Sequence, residues 1–160
     1  MSQQAIIGTL NRLMANQCYS LVNYLSDATP WTRPGNEELM EATRCIVADH
    51  EHYSQRLADA IEDRGGSPNA GSYPMTFSSL NDLALDYLLA KLIQNQQHAI
   101  ETNERCVAEL EEDSQAQSLA SEVLGSERAH LDTLKEFLPQ NEPLPDDDEL
   151  RSLVAYSSNT

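Results

Sequence analysis

Basic residues are scarce in this chain: 10 Lys and Arg stand against 26 Asp and Glu, which gives a formal net charge of −16. Phosphate backbones and anionic lipid surfaces are bound through clustered cations. We therefore expect neither nucleic acid nor a membrane surface as a partner. No apolar run approaches the roughly 20 residues that a transmembrane helix needs. The excess of carboxylates suits solubility or the attraction of cations, metal ions among them.

Cysteines are few and scattered, at Cys18, Cys45 and Cys106, and none belongs to a C-x-x-C pair. An odd, dispersed set argues against a disulfide framework and favours reduced, mostly buried thiols. The first residues lack the basic and apolar regions of a secretion signal, so we expect a cytoplasmic protein. Motifs of serine hydrolases, phosphate-binding loops and H-E-x-x-H metalloproteases are also absent from the sequence.

Four segments have helical periodicity, and none has the alternation of a strand. The predicted helices cover about Gln4–Asp27, Asn36–Asp63, Ser79–Leu110 and Ser114–Leu138. The sequence thus predicts an all-α four-helix bundle in residues 1–138. Residues 139–160 form an acidic, proline-containing tail, for which we predict a linker and a short helix.

The link between the second and third predicted helices is long and rich in Gly, Ser and Pro, from Gly65 to Ser78. Such a segment can extend about 45 Å at roughly 3.3 Å per residue. A helix of about 25 residues is only about 37 Å long. The link can therefore cross the whole bundle between two helical hairpins, which the short links on either side predict.

Polar residues interrupt the apolar stripe of the fourth predicted helix. Glu127 and His130 lie between Val123 and Leu134, three residues apart, so they project from one side of the helix. A carboxylate that faces a core costs several kcal/mol unless it is paired or bound to a cation. Glu127 therefore requires a compensating partner.

The second predicted helix repeats the same spacing in Asp49 and His52. The apolar positions of this helix leave two alternatives. In the phase set by Ile46 and Leu57, His50 points most directly inward; a modest rotation of the helix brings Asp49 and His52 inward instead.

The first and third predicted helices carry further polar residues on their apolar faces. Gln17 lies between Leu13 and Leu21, and the third helix offers the set Gln94, Gln97 and Glu101. Bundles hold iron or manganese with carboxylate and imidazole ligands from facing helices. We expect Asp49, His52, Glu127 and His130 as metal ligands, with the glutamines and Glu101 as weak or supporting ligands.

The segment Leu10–Gln17, the Asp49-x-x-His52 and Glu127-x-x-His130 motifs and the long crossover together resemble the ferritin-like superfamily, bacterioferritin and rubrerythrin above all. The resemblance implies a site for two iron or manganese ions. Gln17 stands where the family has a ligand Glu, and Asp49 replaces another. Gln94, Gln97 or Glu101 lies near the place of the Glu on the third helix.

Two functions follow from this resemblance. The first is a di-metal oxidoreductase or iron-handling protein that oxidises ferrous iron while dioxygen or peroxide is reduced. The second is a metal-free ferritin-like scaffold or interaction protein, in which Glu127 pairs with His130 or His52 and the glutamines complete a hydrogen-bond network. The resemblance also implies a homodimer packed through the first two helices.

Overall fold

The computed structural model of the protein describes residues 2–28, 37–80 and 85–138. Its α-helices are α1 (Gln3–Cys18), α2 (Leu21–Ala28), α3 (Glu37–Asp63), α4 (Leu85–Glu109) and α5 (Ser114–Lys135), and a 3-10 helix covers Met75–Leu80. No strand occurs in these ranges, which confirms the all-α prediction. The predicted tail, residues 139–160, lies outside the described residues.

The helices pack as an antiparallel bundle in which α1 contacts α3 and α4, and α5 contacts the same two helices. Gln3 lies near Arg64 and Cys18 near Ser54, so α1 and α3 run in opposite directions. The contacts between α1 and α4 also run in opposite directions. Consequently α3 and α4 are parallel, and the chain between them crosses the length of the bundle, as the sequence predicts.

Two apolar clusters fill the interior, one toward each end of the bundle. Their fully buried members include Leu10, Leu13, Leu57, Leu110 and Val123 in the first cluster, and Leu21, Ile46, Leu88, Leu92 and Leu134 in the second. Along the helices, buried polar residues separate these clusters: Gln17, His50, Gln96, Glu127 and His130. We call this set the polar layer, and it holds the candidate site.

Two boundaries differ from the sequence prediction. The first predicted helix is two helices, because the backbone breaks between α1 and α2 at Tyr19 and Ser20. The third predicted helix begins at Leu85, since Ser79 lies in the 3-10 helix that precedes it. None of the described helices combines the length and apolar composition of a membrane span.

Asp113 joins the start of α5 to the end of α3. Its carboxylate caps α5 by accepting from the Ala116 amide at 3.1 Å, and it accepts from Arg64 Nε and Nη2 at 2.8 and 2.9 Å. The hydrogen bonds from Arg64 hold the pKa of Asp113 below its ordinary value, although burial opposes them. The chain after Arg64 turns through Gly65 at φ 78°, a left-handed conformation that favours glycine.

We expect Asp113→Ala to lower the free energy of unfolding by at least about 1–2 kcal/mol, the usual worth of a helix cap. Asp113→Asn keeps a capping oxygen and should cost less. Because the folded-state pKa is lowered, the contribution of Asp113 is complete above the ordinary carboxyl pKa and disappears as the pH falls through the lowered value. Urea denaturation of the natural chain and the Asp113→Ala variant at neutral and acidic pH measures this pH dependence. An equal loss of unfolding free energy at both pH values would contradict the prediction.

Candidate metal centre

Glu127 is the centre of the polar layer and is only 1% exposed. Gln17 Nε2 donates to Glu127 Oε1 at 2.7 Å, and His50 Nε2 lies 2.9 Å from the same oxygen. The amide of Gln96 donates to Oε2 and, at 2.8 Å, to the backbone carbonyl of Glu127. The compensation that this buried carboxylate requires therefore comes from α1, α3 and α4 together.

The ionisation of Glu127 reflects this environment. Burial by itself would raise the pKa of Glu127, but hydrogen bonding and charge from His50, with smaller contributions from Gln17 and His130, outweigh it and lower the pKa. Among the side chains that the structure describes, Glu127 is the only buried carboxylate. The polar layer thus contains a single carboxylate, which can supply at most one negative charge.

His130 is oriented by a carboxylate at the surface. Its Nε2 lies 2.8 Å from Asp49 Oδ2 and 3.3 Å from Ser126 Oγ. Because a carboxylate only accepts hydrogen bonds, Nε2 carries the proton. The other nitrogen, Nδ1, is buried without a hydrogen-bond partner in the described part of the chain, and it lies 3.9 Å from Glu127 Oε1.

His50 is oriented in the same way by an amide. Its Nδ1 lies 2.9 Å from Asn23 Oδ1. The Nδ2 of Asn23 faces two backbone carbonyls, which only accept, so Oδ1 is the atom that faces the imidazole. Nδ1 of His50 therefore carries a proton, and Nε2 faces Glu127 Oε1. A proton or a metal ion must lie between that nitrogen and the carboxylate oxygen, since two lone pairs would repel each other.

His50, Glu127 and His130 form a buried cluster that could hold a metal ion. Each offers one ligand atom, and the three atoms lie within 4.8 Å of one another. Zinc and similar ions hold nitrogen and oxygen ligands at about 2.0–2.2 Å, so ligands of one ion are about 3–4 Å apart. From Glu127 Oε1, His50 Nε2 lies at 2.9 Å and His130 Nδ1 at 3.9 Å, close to that range.

The ligands predicted from the sequence occupy different places. Glu127 and His130 lie in the polar layer, and Asp49 contacts His130 although its own side chain is 55% exposed. His52 is exposed, and its ring makes an edge-to-face contact with the ring of Tyr53. Of the two alternatives for this helix, the structure shows the one with His50 in the core.

The predicted supporting residues are also divided. Gln17 contacts Glu127, whereas Glu101 is exposed and lies 3.9 Å from His98. Gln94 and Gln97 are half-buried, and from α4 it is Gln96 that donates to Glu127. The spacing of four from Leu92 to Gln96 was the available signal for this position.

Sequence reasoning also missed Ser20 and Asn23, which contact His50. Both types favour caps and turns over helix interiors. Their occurrence in the middle of a predicted helix was the signal for a break. Because the helix breaks there, both side chains contact His50 on α3.

Comparison with known proteins identifies the fold. No family model and no curated protein sequence matches the chain. A solved structure does: the ferritin-like, diiron-carboxylate protein from Bacillus anthracis has a TM-score of 0.73 at 17% identity, over 87% of this chain and 100% of that one. Together with the crossover and the polar layer, this likeness shows that the chain has the ferritin-like four-helix fold.

Proposed function

We propose that the protein binds one divalent transition-metal ion through His50, Glu127 and His130. Two imidazole nitrogens and one carboxylate oxygen are the ligand set that non-haem iron and zinc sites use. All three side chains are at most 7% exposed, and the site is built from α3 and α5. With an open coordination position, a bound ion would supply a Lewis acid or, for iron, a redox centre.

The observation that carries the proposal is the orientation of both imidazoles. Asp49 and Asn23 each accept a hydrogen bond from the outer nitrogen, so the inner nitrogens of His50 and His130 face the same carboxylate. Metal-binding histidines have this arrangement of an outer acceptor and an inner lone pair. Leaving the buried Nδ1 of His130 without a partner costs about 1–3 kcal/mol, and a metal ion would use that atom.

The number of buried carboxylates favours one ion over two. Glu127 offsets one of the two charges of a divalent ion, and a second ion would require further anionic ligands. Gln17 and Gln96 contact Glu127 with neutral amides. Iron is the metal we expect first, because the similar solved structure is named a diiron-carboxylate protein. If iron is bound, the activity that would follow is oxidation of ferrous iron, with dioxygen or peroxide as the electron acceptor.

A metal-free scaffold is the second candidate, and one observation favours it. Both oxygens of Glu127 already have hydrogen-bond partners, in Gln17, His50 and Gln96. In this candidate a proton occupies the place of the metal ion, and the network holds the helices together. The two candidates differ in whether added metal changes stability.

Metal titration of chelator-stripped protein distinguishes the metal-binding protein from the metal-free scaffold. The metals are Mn²⁺, Zn²⁺ and, under anaerobic conditions, Fe²⁺. We expect one ion per chain by calorimetry. At a free ion concentration 100 times the dissociation constant, binding adds about 2.7 kcal/mol to the unfolding free energy. That raises the Tm of a chain of this size by about 5–10 °C. No bound ion and an unchanged Tm with all three metals would establish the metal-free scaffold instead.

A further inference from the structure

At the break between α1 and α2, side chains of α2 and α4 form hydrogen bonds with the free backbone groups. In a continuous helix the Leu21 amide would donate to the Gln17 carbonyl. Here Leu21 N donates to Asn95 Oδ1 at 3.1 Å. The carbonyls of Gln17 and Cys18 accept from Asn23 Nδ2 at 2.6 and 3.1 Å. Side chains therefore satisfy these three backbone groups at the break, which makes it a defined feature of the fold.

The same break directs polar groups at His50. Asn23 is 8% exposed, and its Oδ1 lies 2.9 Å from His50 Nδ1. Ser20 Oγ lies 3.2 Å from the same nitrogen and accepts from the Asn23 backbone amide, also at 3.2 Å. The Asn23 side chain thus has two separable parts, a donor that closes the break and an acceptor that contacts the imidazole.

We propose that Asn23 is a positioning residue for the metal centre. By accepting a hydrogen bond from Nδ1–H, Asn23 Oδ1 keeps His50 in the tautomer whose Nε2 lone pair is available to a metal ion beside Glu127. Without this acceptor only Ser20 Oγ faces Nδ1, and because a hydroxyl can donate as well as accept, a share of the molecules presents a protonated Nε2. This inference rests on the proposed metal binding. In it, the helix break places Asn23 where its side chain orients the ligand His50.

The two parts of the side chain allow a sharp test with Zn²⁺ as the probe. Asn23→Ala removes both the donor and the acceptor, and we expect Zn²⁺ affinity to fall by about 10- to 100-fold, as for other outer partners of ligand histidines. Asn23→Asp loses the donor but keeps an oxygen acceptor toward His50. We expect it to bind Zn²⁺ at least as tightly as the natural chain, although it is less stable.

Asn16→Ala is the matched control. Asn16 lies on α1, where its amide donates to Asn103 Oδ1 of α4 at 3.2 Å rather than to His50. It should lose stability without losing Zn²⁺ affinity. If affinity in the three variants simply follows their stability, Asn23 has only a structural role and the inference is overturned.

A measurement on the natural chain covers the case in which the Asn23 variants do not fold. In the Zn²⁺-loaded protein, nitrogen NMR of the imidazoles should show a proton on His50 Nδ1 and zinc on Nε2. Zinc on Nδ1 would overturn the inference while leaving metal binding intact. Failure of the natural chain to bind Zn²⁺, Mn²⁺ or Fe²⁺ would overturn the proposed function, and the inference with it.

Discussion

Glu127→Ala is expected to abolish metal binding and to lower the free energy of unfolding by about 3–5 kcal/mol, the usual cost of removing one partner of a buried charged pair. The carboxylate is 1% exposed, and its removal leaves Gln17, His50 and Gln96 without their shared acceptor. Urea denaturation and calorimetric titration with Zn²⁺ measure the two effects.

Two further variants separate charge from packing. Glu127→Gln keeps the volume and one acceptor oxygen but removes the charge, so metal affinity should fall by more than about 100-fold with a smaller loss of stability. Glu122→Ala is the control, because Glu122 is an exposed carboxylate of the same helix that pairs with Arg56. It should leave metal binding unchanged. Tight binding in Glu127→Ala would rule out Glu127 as a ligand.

The second large effect is the expected difference in Zn²⁺ affinity between the variants His50→Gln and His52→Gln. His50 is 1% exposed and lies 2.9 Å from Glu127 Oε1, whereas His52 is exposed two residues along the same helix. We expect the His50 variant to lose more than about 100-fold in Zn²⁺ affinity, since a direct ligand matters at least as much as an outer partner. The His52 variant should bind like the natural chain.

The comparison is well controlled because both variants make the same chemical change on one helix. Calorimetric titration of the two proteins under identical conditions gives the affinities. The opposite result, with His52 required and His50 dispensable, would favour the Asp49 and His52 ligand pair that the motif spacing predicts, and would require rotation of α3.

The fold was predictable because it depends on features that the sequence carries directly. Apolar periodicity gives the helices, and the length of the Gly65–Ser78 link gives the crossover that the structure confirms. Glu127 and His130 were identified because they interrupt a regular stripe. The predicted homodimer and the cytoplasmic location stay predictions, since neither follows from the fold.

The choice between His50 and His52 shows where two sequence signals conflict. Motif spacing pairs Asp49 with His52, but the buried positions Ile46 and Leu57 place His50 in phase with the core. Burial of a whole apolar stripe involves far more area than one polar contact, so the phase decides. Asp49, next to that stripe, reaches His130 from the surface.

Ser20 and Asn23 are a local signal for the helix break, but their propensity alone does not decide that the helix breaks there. The break is stable because Asn95, far away in sequence, accepts from the Leu21 amide, while Asn23 satisfies the carbonyls behind it. These are tertiary contacts, and periodicity across the break continues almost unchanged. Gln96 was missed for a related reason: the phase taken for the third helix pointed to Gln94 and Gln97 instead.

The most direct test of the metal centre is anomalous scattering from crystals grown with Mn²⁺ or Fe²⁺. We expect one peak per chain, at roughly 2.0–2.2 Å from His50 Nε2, Glu127 Oε1 and His130 Nδ1. A pair of peaks would contradict the single-ion proposal. A map without any peak in the polar layer, at metal concentrations that saturate the titration, would contradict metal binding at this site altogether.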